Sequence, residues 1–131
     1  MFNYWIQRHD YSSAEVTKVS ANETINAFLK FDWGHELKSI VNDPTQEKDC
    51  PPGIGIHNGF GKRKNAMLLH ICPIDTASVF FNFHYPQKLK FLGIFNYRIE
   101  STKYVESYSF AKVPEIIHAL FNEKLDSILN L

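Results

Sequence analysis

Residues 66–85 read "AMLLHICPIDTASVFFNFHY", and this stretch decides the class of fold. In "SVFFNFHY" (78–85), Val79, Phe81, Phe83 and Tyr85 fall on one side of an extended chain and Phe80, Asn82 and His84 on the other. That period-two alternation is the mark of a strand with one buried face. "AMLLHIC" (66–72) is a second apolar run of strand length, and "PIDTA" between the two has hairpin-loop composition. Downstream, "FLGIFNYRIE" (91–100) and "KYVESYSF" (103–110) continue as two further strands. Upstream, "GIGIHNG" is a short strand with Ile54 and Ile56 on one face. Short polar connections between successive strands imply an antiparallel meander.

The ends of the chain supply the other layer. Phe2 to Ile6 is expected to be a strand, and residues 14–19 are expected to pair with it. At Ser20 the pattern changes. "SANE" places Glu23 three residues after Ser20, the capping-box spacing in which each side chain satisfies an orphan backbone N–H. Ala21, Ile25, Phe28 and Leu29 follow at helical spacing, and Gly34 is expected to end or interrupt that helix. "HELKSIVN" (35–42) suits either a helix or a short strand. The C-terminal run "VPEIIHALFNEKLDSILNL" reads as one helix: Pro114 is tolerated in its first turn, and Ile117, Leu120, Phe121, Leu125 and Ile128 form one apolar stripe. The fold expected is a single α+β domain over residues 1–131. It is an antiparallel meander sheet of about five to six strands, with an N-terminal and a C-terminal helix packed on one face.

Composition narrows the function. The chain has 131 residues, 15% of them aromatic, and 14 Lys plus Arg balance 14 Asp plus Glu. Nucleic-acid binders usually carry a basic excess, because phosphate contacts supply much of their affinity. With none here, any electrostatic partner must be met by a local patch. No apolar run approaches the ~18 residues that span a bilayer, so no membrane association is expected. "MFNYWIQRHDYSS" lacks the order of a signal peptide. With only two cysteines, Cys50 and Cys72, and no CxxC pair, the expected compartment is the reducing cytoplasm, with a single disulfide left open.

The stretch "DCPPGIGIHNGFGKRKN" (49–65) has the ingredients of a site. Cys50 is followed by two prolines, so it does not open a helix that would lower its pKa. "GIGIHNGFG" matches neither the dinucleotide fingerprint nor the Walker loop, and a strand rather than a helix follows it. Gly53 and Gly55 are expected to relieve crowding at a strand start, and Asn58-Gly59 and Gly61 to supply turn residues. "KRK" (62–64) then reads as an exposed basic turn. His57, His70 and His84 lie on strands, and their spacing fits no metal-ligand motif. No catalytic residue, metal or cofactor is expected.

Tyr85, Tyr97, Tyr104 and Tyr108 cannot all be core if helices cover one sheet face, and an exposed Tyr-rich face is a binding signature. Around them Lys88, Lys90, Arg98 and Lys103 interleave with Glu100 and Glu106. That mixture argues for a protein partner over nucleic acid.

Taken as a unit, the chain has a first strand, the "SANETINAFLKF" helix, a strand after "CPPGIGI", the meander from "NAMLLHI" to "KYVESYSF", and the closing "VPEIIHALFN" helix. This order resembles small bacterial immunity proteins, of the kind encoded beside contact-dependent or other polymorphic toxins. The resemblance implies a single α+β domain that binds a cognate toxin domain and blocks it, with no catalysis of its own. The balanced charge departs from the acidic character frequent among nuclease inhibitors. Partner contacts are expected at His57, Lys62, Arg63, Lys64, Tyr85, Tyr97, Arg98, Tyr104 and Tyr108. Two alternatives stand beside this. One is a small-ligand protein or enzyme with a histidine-lined pocket between sheet and helices. The other is a nucleic-acid-binding domain using the GKRK turn and the tyrosines.

Overall fold

The computed structural model describes residues 1–42 and 51–131. Six antiparallel strands form one sheet in the order β2-β1-β3-β4-β5-β6. They are β1 (Phe2–Gln7), β2 (Ser13–Val19), β3 (Gly53–His57), β4 (Leu68–Pro73), β5 (Ser78–Phe91) and β6 (Phe95–Ser109). The helices are α1 (Ala21–Lys30), α2 (Trp33–Asn42), α3 (Val113–Phe121) and the short α4 (Asp126–Leu129). The fold is the α+β class expected. β3 to β6 form the meander, and the β1–β2 hairpin adds to its edge through β1–β3 pairing.

One face of the sheet carries the core. Ile54, Ile56, Leu69, Ile71, Val79, Phe81 and Phe83 alternate out of β3, β4 and β5 and are fully buried. Ile25 and Phe28 of α1, and Ile116, Ile117 and Leu120 of α3, close over them. Each such side chain taken from water contributes about 1.5–3 kcal/mol, so this layer is the main source of stability. Ser20 caps α1 as expected: its Oγ accepts from Glu23 N–H (3.1 Å), while Glu23 Oε1 accepts from Ser20 N–H (3.2 Å).

The structure differs from the expectation in three places. The break between the first two helices falls at Phe31–Asp32, not Gly34. Asp32 starts α2 because its Oδ1 accepts from His35 N–H (3.0 Å) and its carbonyl from Glu36 N–H, an N-cap that makes residues 35–42 helical. Gly34 lies inside α2. Near the C-terminus the apolar stripe is continuous but the helix is not. Glu123 takes φ = 55°, and Lys124 N–H donates to Ala119 O (2.8 Å), so α3 ends in a left-handed cap and α4 begins anew.

The largest difference is in the last hairpin. Residues 78–85, 91–100 and 103–110 are two long strands, not three short ones. β5 runs through "PQKLK", and the chain reverses at Leu92-Gly93, both at positive φ (54° and 70°). Ile94 N–H donates to Phe91 O across that turn. Pro86 does not break β5, because β4 has already ended opposite His84 and Pro86 needs a partner on one side only. Cys50 lies outside the described residues.

Candidate functional site

The β3–β4 connection builds a rigid basic turn beside the base of the β5–β6 hairpin. Asn58 closes it twice. Its N–H donates to Met67 O (3.3 Å), and its Oδ1 accepts from Met67 N–H (2.6 Å). Gly59 (φ = 104°) and Gly61 (φ = 83°) take the left-handed conformations that glycine reaches without a Cβ clash. Gly59 O then accepts from both Lys62 N–H and Arg63 N–H (2.9 and 2.8 Å). Arg63 reaches back, its Nη1 donating to Asn58 O (3.3 Å). The result is three adjacent cations held at the surface on an ordered turn.

His57 supports that turn from below. Its Nδ1 accepts from Gly59 N–H (3.1 Å), so Nε2 carries the ring proton and faces Glu15 Oε1 at 2.7 Å. The side chain is largely covered. His57, expected as a partner contact, positions the turn and ties it to β2.

Across from the turn stands the hairpin. Phe60, Lys62, Arg63 and Lys64 on one side and Pro86, Arg98, Ile99 and Glu100 on the other line a groove of about 620 Å³. Four cations therefore surround one carboxylate. Lys88 stands directly opposite Arg98 on the hairpin, a like-charge cross-strand pair, which disfavours the ribbon by itself. Among the described residues, none of these cations forms an ion pair. The walls add Phe60, Pro86 and Ile99, so the groove offers apolar area bounded by concentrated positive charge.

The tyrosines do not assemble as expected. Tyr85 is half-buried, stacked on Phe83 at 5.3 Å, on the helix-covered side. Tyr108 is also half-buried there; it meets Phe81 edge-on, and its hydroxyl donates to Lys112 O (3.3 Å). Burial pushes the Tyr108 phenol above its ordinary pKa, and the nearby Glu115 carboxylate adds to this. Tyr97 is exposed on the hairpin, and Tyr104 is exposed on the opposite sheet face beside Phe80. The four tyrosines are therefore distributed over both faces. Arg98 joins the KRK turn; Tyr104 does not.

The histidines also differ from the expectation of a pocket between sheet and helices. His57, His70 and His84 project from the face that the helices leave open, because Ile56, Leu69, Ile71 and Phe83 take the core positions of the same strands. There Trp5 lies across Gly55, where a Cβ would come within 2.1 Å of the indole. The Trp5 ring meets His70 at 5.1 Å, and His70 Nε2 lies 3.3 Å from Cys72 Sγ. Burial pushes the His70 imidazole below its usual pKa, and the neighbouring His84 reinforces this. His84 faces Thr102 and Phe60. Each imidazole is thus engaged with different neighbours, and no group of three His, Cys, Asp or Glu side chains among the described residues is placed to hold a metal ion.

One buried group was not singled out from the sequence. Glu36, 2% exposed on α2, accepts from His9 N–H (2.9 Å) and from the His9 ring, with Arg8 at 3.7 Å. Burial acts to raise its pKa, but the His9 hydrogen bonds and the Arg8 and His9 charges outweigh it, and the carboxyl is held below its ordinary value. It locks α2 to the β1–β2 turn. "HEL" on an ambiguous segment gave no sign of this, since its partners are 27 residues away.

No helix of the described residues is long and apolar enough to cross a membrane. Comparisons with protein-family models, curated proteins and solved structures find no match to this chain.

Proposed function

We propose that this chain is a cytoplasmic binding protein of the toxin-immunity type, which neutralises a cognate bacterial toxin by covering its active site or substrate surface. The observation that carries this reading is the groove between the KRK turn and the hairpin. Its four cations face one carboxylate on pre-ordered backbone, so a partner's acidic side chains gain charge-assisted hydrogen bonds without ordering the turn first. Phe60, Pro86 and Ile99 supply apolar contact at the same place. Electrostatic complementarity of this kind favours fast, selective capture. The toxin surface that fits is acidic, with an apolar centre.

A protein partner fits better than a nucleic acid. Single-stranded nucleic acid uses stacked aromatics beside its cations, whereas Tyr85 and Tyr108 are turned into the core side and Tyr104 stands on the other face from Tyr97. An enzymatic reading would need converging polar groups, and the three histidines have separate partners.

The test is co-expression with the product of the adjacent gene. A stable complex on gel filtration, rescue of growth from that product, and loss of both in K62A/R63A/K64A are expected. Absence of a toxic neighbour, or a complex indifferent to the triple substitution, overturns the reading. A salt-dependent gel shift with single-stranded RNA or DNA, lost in the same variant, would instead favour nucleic acid.

A further inference from the structure

The outer half of the β5–β6 hairpin is bare on its apolar side. β4 pairs with β5 only as far as Leu68 opposite His84. From Tyr85–Ser101 to Phe91–Phe95, β5 and β6 run on as a two-stranded arm with unbroken register. Directly opposed residues share a face. Gln87, Leu89 and Phe91, with Ile99, Tyr97 and Phe95 opposite them, therefore prolong the row begun by Phe81 and Phe83. Exposure there is high: Phe91 57%, Phe95 62%, Tyr97 44% and Ile99 43%, with Leu92 74% and Ile94 76% at the tip. Lys88, Lys90, Asn96, Arg98 and Glu100 occupy the other side of the arm. The apolar side contains no charged residue.

Such a face has a cost. A lone two-stranded ribbon is marginal in water. These six side chains of the arm and its tip, 43–76% exposed and roughly 150–250 Å² each where aromatic, present about 600 Å² of apolar surface. That reaches the upper limit of what a monomer ordinarily shows and approaches the roughly 800 Å² that each partner contributes to a standard interface.

We propose that the apolar side of this arm is covered by the same side of a second copy, arm face to face on arm across a two-fold axis. The placement of charge selects this occupant. Every cation of the arm points away from the apolar side, so an acidic partner seated there would gain nothing from Lys88, Lys90 or Arg98. An identical charge-free face is complementary to it, and an isologous contact needs only self-complementarity. Homodimer interfaces are the apolar, charge-depleted class. The formal net charge is zero, so no long-range repulsion opposes pairing. Two twisted ribbons packed about 10 Å apart form a small four-stranded sandwich, with Phe91, Phe95 and Tyr97 as its filling. The basic side of each arm stays in solvent, leaving Lys62–Lys64, Pro86 and Arg98 of the groove open; Ile99 belongs to both surfaces. The dimer does not rest on the toxin-binding reading.

Sedimentation velocity of the full chain over a dilution series tests this. A monomer–dimer equilibrium is expected, and F91S/F95S should weaken it about a hundredfold, each substituted position, lost from both copies together, being worth about tenfold. K88S/K90S, on the opposite side, should leave it unchanged, as should K62A/R63A/K64A. Circular dichroism checks that each variant folds. Hydrogen exchange of the unaltered chain needs no substitution: protection over 88–98 should rise with concentration while 54–56 stays constant. A chain that is monomeric throughout, a dimer indifferent to F91S/F95S, or arm exchange independent of concentration overturns the proposal.

Discussion

The two halves of the β5–β6 hairpin have one alternation and two fates. Along the inner half, Val79, Phe81 and Phe83 are fully buried under α1 and α3. Along the outer half, Leu89, Phe91, Phe95 and Tyr97 continue the same row with no helix over them. The strands are continuous and the register unbroken between Phe81 and Phe91, so local structure does not separate the halves. What separates them is cover: β4 ends opposite His84 on one flank, and the helices do not reach beyond Tyr85. A period-two pattern shows that a face is apolar; it does not show which body covers it.

The contrast can be tested directly. Phe81→Ala removes a fully buried ring and should cost about 3–5 kcal/mol. Phe91→Ala, read at a dilution where the chain is monomeric, should stay within about 0.5 kcal/mol. Chemical denaturation measures both; similar losses would mean that the arm is packed in the single chain.

The sheet's other face gives the next effect. Gly55 stands next to β4 and admits the Trp5 indole. Gly55→Ala should destabilise by about 1–3 kcal/mol through overpacking, and combination with Trp5→Ala should be less than additive. Full additivity in that double-mutant cycle would show that the ring can move aside freely. Ser20→Ala, which removes the α1 cap over the inner half, should cost about 1 kcal/mol, with no change in the exchange of arm amides.

The smallest effect is a pH dependence. His70 pairs with Asn82 of the inner half, and burial with the nearby His84 lowers its folded pKa below 6.5. Below 6.5 the unfolded chain then binds more protons than the folded one, so stability is fully present above pH 6.5 and declines as pH falls. His70→Gln should flatten that slope. An unchanged slope would assign it to another group.

Much of this was legible in sequence because it is local. Ser20 and Glu23 cap a helix through bonds three residues apart, and "SVFFNFHY" alternates on its own. The basic turn was likewise readable from Asn58-Gly59 and "KRK". The misread boundaries have local chemistry of weaker appearance: Asp32 outcompetes Gly34 because a carboxylate can cap, and Leu92-Gly93 turns the chain where "PQKLK" looked like the connection. The tie of His57 to Glu15 of β2, Glu36 as a lock on the β1–β2 turn and the Trp5–Gly55 contact depend on partners 27 or more residues away, and no short pattern encodes them.

By itself, then, the sequence determined the class of fold, the capped first helix, the apolar rows and the position of the basic turn, since each follows from side-chain period or from bonds within a few residues. Only the tertiary structure decided that Arg98 joins Lys62–Lys64, that the histidines line the uncovered face, that the four tyrosines divide between faces, and that half of one hairpin is left uncovered. Those outcomes depend on where β4 stops and how far α1 and α3 extend, which are properties of packing between distant segments rather than of any one of them.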